Sequence, residues 1–329
     1  MSDTLEVPVI DIGPFAAGGP AADAVVQQIR AACEEHGFIV ISGHGVPPEV
    51  NQNLDVAARD FFDSPAAEKL AFAPPNIRVF RGYWGVGSMS TAGSLGIETP
   101  PDLLEFLSFG PELSGDQRKR YAAAGVDHVD SFFAENIWPR TPGLRDAVER
   151  YLKETSALAH SLLRVFATAL GLEPGWFDDK FDLPCSTMVI NHYPSTVLEP
   201  PAGQFRRGEH TDYGAFTILY SDGESGLEVK TRDGVWRAVP CVRNAYVVNI
   251  GDLLAAWTNH RWRSSLHRVV FPEDPGVSRL TSPLFFNPSI DAVIACVPTC
   301  VGPDGECLDP VAAGEWIAAK IAATTRETV

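Results

Sequence analysis

His210 and Asp212 are separated by a single residue, and His267 follows in a later run rich in β-branched side chains. Side chains at i and i+2 of an extended strand share a face, so His210 and Asp212 can reach one ion together. Enough chain separates them from His267 for several strands to return and set it beside the first pair. Two imidazoles and one carboxylate suit ferrous iron and leave coordination positions open for reacting molecules. Zinc takes similar ligands, but hydrolysis at zinc needs a general base near the metal-bound water, and none stands out here. Twelve residues past His267 comes Arg279-Leu280-Thr281 in another strand-like run. An arginine in an apolar strand needs a partner, because an unpaired buried charge is costly. A carboxylate gripped by the Arg279 fork and the Thr281 hydroxyl would supply one, at roughly 1.5–3 kcal/mol per charge-assisted bond. An internal Asp or Glu would serve equally well.

The elements that must position these residues can be read from periodicity. From 185 onward, short β-branched runs recur between turn signals at 186–193, 215–220, 226–230, 235–239, 245–250, 267–271, 280–286 and 291–297. That spacing predicts an antiparallel sandwich or barrel of about eight strands. Gly251-Asp252-Leu253-Leu254-Ala255-Ala256-Trp257 is its one helical interruption, and a last helix over about 309–324 returns to cover the sheet. Earlier, Val7–Ile12 reads as an edge strand because Pro8 would break a central ladder. A helical spacing over 20–36 ends at Gly37, and Phe38–Ile41 reads as a buried strand. A second helix runs from Val50 to Phe62, and Ser64-Pro65 reads as the N-cap and first position of a brief turn. Residues 74–111 read as a long functional loop. Two helical patterns follow, over roughly 114–137 and 142–170, the second with a broad apolar stripe closed by Gly171. Neither an internal repeat nor a low-complexity linker interrupts the chain. The sequence therefore predicts one domain over 1–329, with a helix-rich region at 1–180, a β core at 181–300 and a covering helix at 301–329.

Composition bounds the partners. With 45% apolar and 21% charged residues, the chain has the make-up of a soluble globular protein. A net charge of -16 argues against nucleic acid, whose phosphates call for a basic face. The same charge permits a cationic small substrate such as an aminoglycoside. The six cysteines form no CxxC pair, and the start lacks the basic and apolar regions of a secretory signal. No apolar run is long enough to span a membrane. A cytoplasmic location follows as the expectation. Scarce lysine beside arginine, with abundant alanine, hints at a GC-rich bacterial genome.

Taken together these motifs resemble the isopenicillin N synthase-like Fe(II)- and 2-oxoglutarate-dependent oxygenases, almost end to end. The likeness is carried by the opening Val-Pro-Val-Ile-Asp-Ile, Glu35-His36-Gly37-Phe38, Gly43-His44-Gly45-Val46, Arg81-Gly82-Tyr83 and Pro101–Glu105. It continues through Asn191-His192-Tyr193-Pro194, His210-Thr211-Asp212, Asn249-x-Gly251-Asp252, Thr258-Asn259, His267-Arg268-Val269 and Arg279-x-Thr281. The resemblance implies a mainly β fold, a double-stranded β-helix (jelly-roll) core buttressed by N-terminal and C-terminal helices. It implies iron on His210, Asp212 and His267, with 2-oxoglutarate and O2 as cosubstrates. It also implies that the far carboxylate of 2-oxoglutarate lies on Arg279 and Thr281, with Tyr193 adding a hydroxyl and Asn191 lining the site. Decarboxylation to succinate would then be coupled to hydrogen abstraction from a substrate, ending in hydroxylation, desaturation or ring closure. Thr281 stands where serine is commoner, and His260 where a glycine or small polar residue is usual.

Three functions fit. The first is a 2-oxoglutarate-dependent oxygenase of a polar small molecule in bacterial natural-product metabolism, such as antibiotic biosynthesis. The second is an isopenicillin N synthase-type oxidase without 2-oxoglutarate, in which Arg279 and Thr281 bind the substrate's own carboxylate. The third is a jelly-roll binding protein that has lost catalysis. Arg81, Tyr83, Trp84, Phe205, Arg207 and Phe286 are candidate pocket residues by position.

Overall fold

The computed structural model describes residues 6–196, 200–274, 276–307 and 309–324. In chain order the strands are β1 (Val9–Asp11), β2 (Phe38–Ser42), β3 (Gly82–Trp84), β4 (Glu105–Phe109) and β5 (Thr187–Tyr193). Then come β6 (Arg207–His210), β7 (Phe216–Ser221), β8 (Leu227–Lys230), β9 (Trp236–Ala238) and β10 (Tyr246–Ile250). The last four are β11 (His267–Val269), β12 (Arg279–Phe286), β13 (Val293–Ile294) and β14 (Val311–Ala312). Eight of them form one sheet in the order β1-β2-β10-β7-β12-β5-β4-β3, and β6-β11-β8-β9 form a second. The two sheets enclose a cavity lined from both sides. This is the double-stranded β-helix, and β13 with β14 makes a separate two-stranded ladder.

The outer face of the large sheet is closed by helices. These are α1 (Gly19–Glu35), α2 (Pro48–Phe62), α3 (Ala66–Leu70), α4 (Gly115–Ala123), α5 (Val129–Phe132) and α6 (Leu144–Ala169). The interruption in the β core is α7 (Asp252–Trp257), and α8 (Ala313–Thr324) is the last helix. Along α6 the residues Leu144, Val148, Tyr151, Leu158, Leu162, Val165 and Phe166 are all buried, which is the stripe that the 3.6-residue period predicts. They join Leu280, Leu284 and Phe286 of β12 in one apolar cluster. The alternate residues of β12, Arg279, Thr281, Pro283 and Phe285, face the cavity instead. One strand thus supplies core on one face and site on the other. Among the described residues no helix is long and apolar enough to cross a membrane.

Several expectations shift. The stretch 74–111 is not a plain loop, because β3 and β4 extend the large sheet from within it. Its Gly, Pro and Ser content hides Glu105-Phe106-Leu107-Ser108-Phe109, which is buried on both faces and so shows no alternation. The helix expected over 114–137 ends at Ala123, since Gly125 takes φ +66 and breaks it, and only Val129–Phe132 resumes. Ser64 does not cap the turn after it. Its hydroxyl donates back to Phe61 O, and Pro65 occupies the N-cap position. The helix expected over 309–324 starts at Ala313, because Val311 and Ala312 pair with β13. The edge strand and the Gly37 stop stand as expected. Gly37 has φ +64, and a Cβ there would lie 2.0 Å from Arg263 O.

Candidate active site

His210 closes β6 and His267 opens β11, and the two are direct partners across that antiparallel pair. Asp212 lies just past the end of β6 rather than within it, so strand alternation is not what turns it inward. Its carboxylate is aimed by two donors. Thr217 Oγ1 and Asn249 Nδ2 both reach Oδ2, at 2.5 and 2.6 Å. Oδ1 is left 3.9 Å from His210 Nε2 and 3.7 Å from His267 Nε2. His210 Nδ1 donates to Gly208 O at 2.8 Å and His267 Nδ1 to Ser265 O at 3.1 Å. A carbonyl can only accept, so each neutral ring carries its proton on Nδ1 and presents a bare lone pair at Nε2. Burial pushes His210 well below its ordinary range, helped by the charges of His267 and Arg207, and burial also lowers His267. Three lone-pair atoms therefore converge, all within 4.8 Å of one another, with no proton among them. Such a set can hold a cation, and its nitrogen and oxygen donors fit iron.

Across the cavity, strand register assembles a second group. Arg279 pairs with Tyr193 and Thr281 with Asn191, both across β12 and β5. Thr281 Oγ1 accepts from Asn191 Nδ2 at 3.3 Å, and Asn191 Oδ1 is buried without a partner. The Arg279 guanidinium lies 5.3 Å from the centre of the Tyr193 ring and donates Nε to Glu224 O at 3.1 Å. All four residues are buried and line the same cavity as the metal-type trio. No Asp or Glu side chain is paired with Arg279 among the described residues, so the internal partner that the sequence allowed is not there.

Of the six candidate pocket residues, only Arg207 lines the cavity. Arg81 is buried against Gly110 and donates to Phe80 O and Phe132 O. Tyr83 donates to Glu105, Trp84 stacks on Phe106, and Phe205 lies under Arg268. Phe286 packs in the core against Phe181 and Phe216, and its neighbour Phe285 faces the cavity. His260 sits exposed in a left-handed turn (φ 59) beside a separate surface cleft and is not part of the trio. Thr217, which helps aim Asp212, was not found from sequence. Nothing local marks a strand threonine five residues past the aspartate. Asn249 was visible only through the family motif.

Comparison with known proteins settles the family. Residues 7–141 match the family described as non-haem dioxygenase in morphine synthesis N-terminal, and 184–288 match the 2OG-Fe(II) oxygenase superfamily. The 2-oxoglutarate-Fe(II) type oxidoreductase hxnY of Emericella nidulans is 35% identical over 89% of this chain and 82% of its own. The chain belongs to the 2-oxoglutarate-Fe(II) oxygenases. It is accordingly a dioxygenase that uses Fe(II), with 2-oxoglutarate and O2 as cosubstrates. Both the binding-protein reading and the reading without 2-oxoglutarate are set aside. Validamycin A dioxygenase of Streptomyces hygroscopicus subsp. limoneus is 32% identical, over 96% of this chain and 86% of its own. Among solved structures, a full-length Neurospora crassa protein in complex with alpha-KG superposes with a TM-score of 0.85 at 27% identity, covering 99% of this chain and 98% of that one.

Proposed function

We propose that this oxygenase holds Fe(II) on His210, Asp212 and His267, and 2-oxoglutarate on Arg279, Thr281, Tyr193 and Asn191. The observation that carries the reading is the convergence of two unprotonated Nε2 atoms on Asp212 Oδ1, across one cavity from a guanidinium without a carboxylate partner. Arg279 and Thr281 offer adjacent donors to the far carboxylate, and because Thr281 Oγ1 accepts from Asn191 Nδ2 its own hydroxyl proton is free to be donated. When bound, Fe(II) and 2-oxoglutarate supply O2 activation, with release of succinate and CO2 as a substrate C–H bond is oxidised. The chain's own part is positional. Gly208 O and Ser265 O fix the imidazole tautomers, Thr217 and Asn249 fix the carboxylate, and Phe38, Leu219, Leu227, Val269 and Phe285 keep the cavity dry.

The substrate is a polar small molecule, oxidised by hydroxylation, desaturation or ring closure, in bacterial natural-product metabolism. The name of the validamycin relative and the arginine- and alanine-rich composition support this setting. We read 1–329 as one catalytic unit, supported by an apolar cluster that takes residues from Ile10 to Ile317. A cytoplasmic location is supported by six free cysteines.

Anaerobic Fe(II) protein should develop a weak visible charge-transfer band on adding 2-oxoglutarate. Arg279→Met should weaken 2-oxoglutarate binding by roughly 10-fold or more, the worth of a lost charge-assisted pair. Unchanged affinity in Arg279→Met would move the carboxylate elsewhere.

A further inference from the structure

Arg207 and His210 are three residues apart, so a regular strand would point them to opposite faces. Both nevertheless line the cavity. The cause is in the register of β6 on β11. His210 pairs with His267 and Arg207 with Val269, so Gly208 and Glu209 together face the single residue Arg268. That is a β-bulge, a device that re-aims side chains beside sites. It turns Arg207 inward beside both candidate metal-binding histidines, where its charge helps to lower them after burial has done most.

Arg207 enters the cavity unmatched. Its Nε is buried without a hydrogen-bond partner, and among the described residues it has no ion pair. The nearby carboxylates of Glu209 and Glu228 are both held by Arg268, at 3.4 and 2.8 Å. Asp212 is the one acidic side chain lining the cavity among the described residues; its Oδ2 is held by Thr217 and Asn249, and its Oδ1 faces the proposed iron. With the proposed ligands in place, the charges of Fe(II), Asp212, Arg279 and the 2-oxoglutarate dianion cancel. The guanidinium of Arg207 is the charge left over, in a cavity otherwise walled by Phe38, Leu219, Leu227, Val269 and Phe285. Arg207 is half-buried, but its Nε is shut off from water, and an anion entering the cavity would supply the bond it lacks.

We propose that Arg207 selects the substrate, and that the polar group it takes is a carboxylate on a small molecule. The proposal rests on the metal and 2-oxoglutarate assignments above. It also reverses what the total charge suggested, since the excess acid lies outside the cavity and a cation would meet Arg207 head on. The Arg207 fork suits a planar carboxylate, which it can grip through two parallel bonds.

The test measures binding to the anaerobic Fe(II)·2-oxoglutarate protein by calorimetry, using butyrate, hexanoate, benzoate, 3-phenylpropionate and their primary amides. The intact protein should bind at least one acid about 10-fold or more tightly than its amide, the worth of one charge-assisted pair. Arg207→Gln should erase that preference, and Arg207→Lys should keep part of it. The 2-oxoglutarate charge-transfer band and its affinity should be the same in all three proteins. Absence of any acid preference in the intact protein overturns the proposal, as does its persistence in Arg207→Gln. Weakened 2-oxoglutarate binding in Arg207→Gln would reassign Arg207 to the cosubstrate. No band in the intact protein would instead break the site assignment on which the proposal stands.

Discussion

Two buried polar clusters sit back to back on β5. On the helix side, His192 Nδ1, Lys69 Nζ and Tyr83 OH all meet the carboxylate of Glu105, at 2.9, 2.7 and 2.6 Å. On the cavity side, Asn191 and Tyr193 face Arg279, Thr281 and the metal-type trio. Both clusters are buried and contain charged or titratable groups. They differ in satisfaction. Every oxygen of Glu105 has a protein partner, and Lys69 also donates to Phe62 O. Across the strand, Asn191 Oδ1 and Arg207 Nε are orphaned, and three lone-pair atoms converge with nothing between them. A closed network holds a fold together; an open one is shaped for something that arrives.

That contrast can be broken from either side. The largest effect expected is from His267→Ala, which removes one of three proposed iron ligands. Succinate formation should fall by roughly 1000-fold or more, with one Fe(II) per chain no longer retained on dialysis. Retained activity would sink the ligand assignment. Next comes Glu105→Gln in the closed cluster, which strands the buried Lys69 charge at a cost of about 3 kcal/mol, roughly 4 °C in Tm for a chain of this length. Fe(II) affinity should not change, and a parallel loss of iron would show that the two clusters are coupled.

The same variant carries a pH signature. Burial alone would raise the Glu105 carboxyl, but the bonds from His192, Lys69 and Tyr83 outweigh it and hold it below its usual value. A depressed acid adds stability above the pKa of its unfolded form and loses it as pH falls through the folded value. The Tm difference between the native protein and Glu105→Gln should therefore be full at neutral pH. It should close in acid, below the ordinary glutamate range of about 4.3. A constant difference down to strong acid would mean that the Glu105 charge is not what the cluster uses. The smallest effect belongs to Asn249→Ala, which leaves Asp212 Oδ2 with Thr217 alone. Iron affinity should drop by about 10–100-fold while Tm barely moves. An equal loss of both would make Asn249 a packing residue.

The spacing of His210, Asp212 and His267, and the Arg279-x-Thr281 pair after them, were readable along the chain. The trio is marked by residue type and motif, and Arg279 and Thr281 also by the two-residue period of β12, all of which are local. The apolar stripe of α6 and the stops at Gly37 and Gly171 were legible for the same reason. Other features required the partner strand. Whether Phe285 or Phe286 enters the cavity is a matter of phase, and a slip of one residue reverses every side chain. The strand Glu105–Phe109 is covered on both faces, so its sequence carries no alternation to read. Arg207 is the sharpest case. Its inward turn comes from a bulge that exists only because β6 must pair with β11 through His267 and Val269. The sequence determined which groups are present to do chemistry. Only the pairing of distant strands, whose register no local pattern encodes, decided which charge is left facing the substrate.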